Sequence, residues 1–213
     1  VDSTVFSLRS KVTTLDQAIK NFGLYRFREL VLLSSARKIL TEPELLYRSV
    51  FVATCAKKIS ERLKSSAKDA SEIFITALLM DLGSLFFFQK DNLFYRHIFD
   101  EESRLVRLLK EKERYGIDSH SLTTKILSSC QLPLEIEKIL EDHKPEIHYS
   151  RFQLANAILD LAYRLAFMYQ CEESEIQDLL CIDHFEKFEL YKCEIDKDFV
   201  HKIHLEVQEV TSL

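Results

Sequence analysis

The sequence predicts an all-α fold, a single compact multi-helix domain, on three observations. The 213 residues include only three Gly and three Pro, whereas a β-rich fold uses Gly in many tight turns. Apolar residues recur at helical three-and-four spacing from end to end. No Gly/Ser/Pro-rich linker, low-complexity run or internal repeat divides the chain. At this length about 70% of the unfolded chain's surface is buried on folding, so the core needs neither metal nor disulfide.

The elements follow in order. "LDQAIKNFGLYRFRELVLLSSARKIL" gives two amphipathic segments with Gly23 between them as a helix-ending residue. "TEPELLYRSVFVATCAKKISERLK" opens with Thr41 as cap, Pro43 in the first turn and Glu44 three residues after the Thr, a capping-box pattern. Val50, Phe51, Thr54, Cys55 and Ile59 then mark its buried face. "KDASEIFITALLMDLGSLFFFQK" is apolar almost all round and reads as a central helix, with the Phe run at 86–88 in the core. "EESRLVRLLKEKERYG" is strongly charged with a narrow Leu/Val stripe, and Gly116 stops it. "IDSHSLTTKILSSC" restarts with Asp118 or Ser119 as cap, and Pro133 starts the next helix. "RFQLANAILDLAYRLAFMYQ" is a long buried helix. The acidic C-terminal stretch gives two or three shorter helices packed on the rest.

Charge and cysteine usage narrow the function classes. Net charge is −5, with both signs interspersed. That gives no long-range attraction for nucleic acid or an anionic membrane. The cysteines at 55, 130, 171, 181 and 193 are odd in number and unpatterned, as suits a reducing cytoplasm rather than a disulfide scaffold. The reading finds no apolar run of membrane-spanning length and no signal-peptide core at the N-terminus. The chain starts without Met, which reads as a fragment or a processed product.

Four stretches together resemble one family. "KVTTLDQAIKNFGLYRFRELVL" carries an Ala-Ile-x-x-x-Gly-Leu pattern followed by Arg28, "LLYRSVFVATCA" an aromatic-Arg helix start, and "ALLMDLGSL" a Leu-Leu-x-Asp-x-Gly segment. "YGIDSHSLTTKILSSCQLPLEIEKILEDHKPE" matches a Gly-Val-Asp-His … Leu-Pro … His-His-x-Pro stretch. This set, in this order over about residues 3–170, is similar to the HDOD domain family, a branch of the HD superfamily of metal-dependent phosphohydrolases. The resemblance implies a fold of the HD-domain, phosphodiesterase-like type. It implies residues 1–170 as the domain, with the family's N-terminal helices missing upstream, and residues 171–213 as a C-terminal helical extension.

In active relatives, His residues and a His-Asp doublet hold divalent metals that polarise a phosphate and acidify a water. Carried over position by position, the first His falls on Ser49 and the His of the doublet on Met80, while its Asp is kept as Asp81. The His after Gly-Val-Asp falls on Ser119, with His120 one residue off. The double His reads Asp142-His143, and the late Asp falls on Tyr163. Hydroxyls are poor substitutes for imidazole, and a thioether prefers soft metals. His120 is turned about 100° from Ser119 by one helical step.

The residues also have plainer readings. Asp81 reads first as an acceptor at its turn or as the partner of a basic residue. Asp142 and His143 read as a solvated carboxylate beside a helix-end His. His201 and His204 read as a surface pair. No nucleophile arrangement or Gly-rich phosphate loop is found.

The expectation is therefore a non-catalytic HDOD-like signal-transduction or regulatory module with a degenerate metal site, no cofactor, and a protein partner. It is cytoplasmic, binds neither nucleic acid nor membrane, and has no oligomeric state assigned from sequence. One alternative is a divergent metal-dependent phosphohydrolase using Asp81, Asp142 and His143. Another is a degenerate pocket that senses a nucleotide.

Overall fold

In this computed structural model the described residues are 24–99, 104–129, 134–142, 153–168, 172–182, 185 and 188–212; the side chains at 26, 27, 30, 134, 135, 141 and 142 lie outside the described part. Every regular element among them is helical. The elements are α1 (Leu24–Ile39), α2 (Pro43–Arg62), α3 (Ala67–Leu79), α4 (Ser84–Lys90), α5 (Asn92–Phe99) and α6 (Arg104–Tyr115). They continue with α7 (Ser119–Leu127), α8 (Leu134–Asp142), α9 (Gln153–Leu165), α10 (Glu173–Leu180), a 3₁₀ turn (Leu190–Cys193) and α11 (Lys197–Thr211).

The helix α2 is the hub. It packs against α3, α9 and α11, while α3 also packs against α1 and α8. Val50, Phe51, Cys55 and Ile59 are buried, as their spacing predicts, and so are Val52, Ala53 and Ala56 between them, whereas Thr54 of the predicted face is only half-buried. A helix that meets three neighbours has no broad face left for water. Its start differs from the expected one. The N-cap is Glu42, not Thr41, and no side chain caps it. Pro43 is the first helical residue and confines the residue before it to extended backbone; Glu42 accordingly sits at φ −83°, ψ 118°. Its carboxylate pairs with Arg96 at 3.0 Å instead of capping.

Ser66 caps α3 by accepting from the Asp69 N–H, and Ala70 through Leu78 are all buried. By length and composition residues 67–90 are apolar enough to cross a membrane, contrary to the sequence reading, but 83% of that window is buried inside the protein. The run is broken at Met80–Gly83 by i→i+3 bonds, with the Leu82 N–H donating to the Leu79 carbonyl and Ser84 N–H to that of Asp81. After this turn α4 buries Phe87 and Phe88, whereas Phe86 of the same run faces outward.

Later boundaries follow the sequence closely. Gly116, at φ +77°, ends α6, a conformation that costs other residues about 1 kcal/mol or more. Asp118 caps α7 by accepting from the Ser121 N–H at 2.7 Å. Gly23, Pro133, Cys130 and Cys171 lie outside the described residues.

The segment after α9 docks back on α2. Arg62 donates to the carbonyls of Cys193 and Glu194 at 2.5 and 2.6 Å, and Lys58 pairs with Glu206 at 2.8 Å. His204 is not a surface residue: it is 1% exposed, bonded through Nδ1 to the Tyr47 hydroxyl at 2.6 Å and packed on Phe51. His201, three residues earlier, is exposed. The helix therefore puts its two histidines on different sides of the boundary between core and solvent.

Candidate functional site

The turn that separates α3 from α4 places Asp81 inside the protein, 3% exposed. Gly83 makes this possible. A Cβ there would lie 2.3 Å from the Ser119 carbonyl oxygen, so only Gly lets the start of α7 close on the turn. The Gly83 N–H also donates to Thr123 Oγ1 at 2.8 Å.

The partners of Asp81 come from α6. Arg107 donates from Nη2 to Asp81 Oδ1 at 2.6 Å, and Arg104 Nε lies 3.8 Å from the same oxygen. Arg107 Nε lies 3.5 Å from Glu111 Oε1. Glu111 in turn accepts from the Tyr95 hydroxyl and from the Ser119 backbone N–H, both at 2.5 Å. The Ser84 hydroxyl completes this end, 2.9 Å from the Tyr95 oxygen. Arg104 Nη2 reaches His120 Nδ1 at 3.4 Å.

A third guanidinium enters from α2. Arg48 donates to the Phe99 carbonyl and, at 3.3 Å, to the Tyr163 hydroxyl. It lies 3.5 Å above the Phe99 ring, and Arg107 lies 5.2 Å from the same ring. Both are within cation–π range. Among the described residues, three buried guanidiniums (Arg48, Arg104, Arg107) thus face two buried carboxylates (Asp81, Glu111).

Electrostatics follow from this geometry. Burial alone would push the Asp81 carboxyl up, but Arg107 and Arg104 outweigh it and hold the group down to about 2. Burial works against the charge on Arg107 too, yet Asp81, Tyr163, Tyr95 and Glu111 raise its affinity for the proton well above the usual arginine range. Burial is also the largest effect on Tyr95 and pushes its phenol up. The aspartate is thus an anion and the guanidinium a cation throughout the ordinary pH range.

The positions predicted from sequence are distributed as follows. Asp81 and Tyr163 both meet the guanidiniums, Asp81 by ion pairing and Tyr163 by its hydroxyl and ring. Ser119 joins through its backbone N–H to Glu111. Ser49 and Met80 are buried beside Arg48 and Asp81 in sequence, and no hydrogen bond joins them to the network. Asp142 ends α8 with its side chain outside the described residues, and His143 lies outside them altogether.

A divalent metal does not fit the described residues. The carboxylate at the centre is already covered by two guanidiniums, and a dication there would meet like charge at contact distance. No group of three His, Cys, Asp or Glu side chains converges among the described residues.

Sequence reasoning missed Arg48, Arg104, Arg107, Glu111 and Tyr95. The available signal was the spacing 104, 107, 111, which puts three charged residues on one face of α6. That face also carries Leu108, and it points inward, while Val106 and Leu109 of the Leu/Val stripe are 37% and 53% exposed.

Comparison with known proteins gives this arrangement a family. The model of the HDOD domain matches residues 1–145. The chain belongs to the HDOD family. No curated protein matches this HDOD chain. Among solved structures it is similar to "Putative phosphohydrolase from Shewanella amazonensis SB2B", with a TM-score of 0.65 and 18% identity. The match covers 95% of the HDOD chain and 77% of the other protein. At that identity the likeness is one of fold alone.

Proposed function

We propose that this HDOD chain is a non-catalytic module that works in signalling or regulation by binding a protein partner in the cytoplasm. The observation that carries the reading is the contact between Asp81 and Arg107 at 2.6 Å, inside the core. In a metal-dependent phosphohydrolase this carboxylate holds a metal that polarises phosphate and activates water. Here it neutralises a guanidinium. A guanidinium supplies positive charge and hydrogen bonds but has no exchangeable ligand position at which water can be ionised. Ser49, Met80, Ser119 and Tyr163 offer no imidazole or carboxylate to rebuild the site. The helices that carry these positions then serve as scaffold, and the retained function lies in what the module contacts.

The test is a hydrolysis assay. Protein purified without chelator is incubated with cyclic dinucleotides and nucleoside phosphates, with Mn²⁺ or Mg²⁺ added. The reading expects turnover at the rate of the buffer blank. Turnover lost in Asp81→Ala, with the variant still folded, would replace it with the alternative phosphohydrolase that uses Asp81, Asp142 and His143.

A further inference from the structure

A cleft of about 630 Å³ opens where the ends of α1, α9 and α11 meet the start of α2. Small-molecule sites commonly have this size, with apolar walls and a few convergent polar groups. Leu40, Leu46, Tyr47 and Phe167 supply the apolar wall. Tyr47 and Phe167 are only half-buried, so part of each side chain stays open to an occupant. Rings exposed in this way favour a flat aromatic partner.

The charges around the cleft balance one another. Two of the ionic side chains that line it are engaged within the protein. Arg48 donates to the Phe99 carbonyl and the Tyr163 hydroxyl, and it lies 3.5 and 4.7 Å from the ring centres of Phe99 and Phe167. The Glu44 carboxylate is paired with Arg96. A helix C-terminus carries about half a negative charge, and three helices end at the cleft. Together they roughly offset the charge of Arg37 and the positive end of α2. An ion of either sign would give up its hydration without gaining a net counter-charge, whereas a neutral molecule avoids that cost.

The polar groups that remain divide into donors and acceptors. Arg37, half-buried, offers donors only and has no hydrogen-bond or ion-pair partner among the described residues. Thr211 and Ser212, at the end of α11, line the same cleft. Their hydroxyl protons are used inside the helix, donated to the Val207 and Gln208 carbonyls, so their oxygens are left as acceptors. We infer that the cleft binds a neutral aromatic molecule with an amide-type edge, as in a carboxamide or a nucleobase. Its carbonyl accepts from Arg37, its N–H donates to the hydroxyl oxygens of α11, and its ring lies against Tyr47 and Phe167. The occupant therefore touches both the hub helix and the C-terminal helix docked on it.

Benzamide, benzoate and benzylamine share one ring and differ in charge. Each is titrated into the full chain and followed by amide NMR. Benzamide is expected to saturate, with shifts at the cleft residues and an affinity about tenfold or more above that of either ion. Arg37→Met keeps the apolar stem and removes the donors; it is expected to weaken benzamide about tenfold, the loss of one hydrogen bond to a charged group. Thr211→Val keeps the shape and removes the acceptor, with an expected loss of about threefold. Both positions are half-buried, and the melting temperature is expected to stay unchanged in both variants. Benzoate or benzylamine binding as tightly as benzamide, unchanged benzamide affinity in either variant, or failure of benzamide to saturate by about 10 mM would overturn the inference.

Discussion

Arg107 is a wholly buried cation balanced from inside the protein, by Asp81 at 2.6 Å and Glu111 at 3.5 Å. Removing one member of such a pair leaves the other charged, desolvated and alone, which costs about 3–5 kcal/mol. Asp81→Asn and Arg107→Met are each expected to lower stability by about that amount in urea unfolding. The double variant is expected to lose much less than the sum, because it removes both charges together. Losses that simply add would mean that the two side chains do not act as a pair. Acid gives a second view of Asp81. Its folded-state value of about 2 lies below the ordinary value of about 3.9, so its contribution is complete above about pH 4. That contribution, about 2.6 kcal/mol, is lost as pH falls from about 4 to about 2. Asp81→Asn should flatten this part of the stability profile.

At the level of elements, the turn between α3 and α4 is fixed by how closely α7 approaches it. Gly83→Ala would push a Cβ to 2.3 Å from the Ser119 carbonyl, against backbone rather than a movable side chain. The expected cost is about 1–3 kcal/mol, seen as a lowered urea midpoint with an unchanged slope. This turn also shows how far the sequence can be read. Ser66, Asp118 and Gly116 act at helix ends through local chemistry, and local chemistry is written locally; two of the three were legible in advance from their neighbours. The direction in which α6 faces was not. A rule that sends apolar residues inward assigns Leu109 to the core and Arg107 to water. Arg107 lies inside because Asp81 waits there on another element, and no short window of sequence holds both. The sequence offers Asp81 as a partner for a basic residue, but which residue that is depends on tertiary packing. Asp142 and His143 fall outside the described side chains, so that part of the candidate site stays a proposal.

Across the whole molecule, the C-terminal segment is joined to the hub rather than trailing from it. His204 of α11 bonds to Tyr47 and packs on Phe51 of α2. Burial, with His201 nearby, lowers its affinity for protons to about 4. The ordinary value is about 6.5, so the unfolded chain takes up this proton first. Stability is therefore complete above about pH 6.5 and is lost as pH falls from there towards about 4. Hydrogen exchange of the α11 amides is expected to accelerate over that window, ahead of the loss assigned to Asp81. His204→Phe should remove the acceleration, and its persistence in that variant would place the titration elsewhere.

The central claim is that Asp81 is bound to the Arg107 guanidinium and, in the function proposed above, holds no metal. Calorimetric titration of Mn²⁺ into protein purified without chelator tests it most directly, with Asp81→Asn as the control. The account predicts no saturable heat and no Asp81-dependent binding. Stoichiometric binding that disappears in Asp81→Asn, and that raises the melting temperature of the unaltered chain, would contradict it.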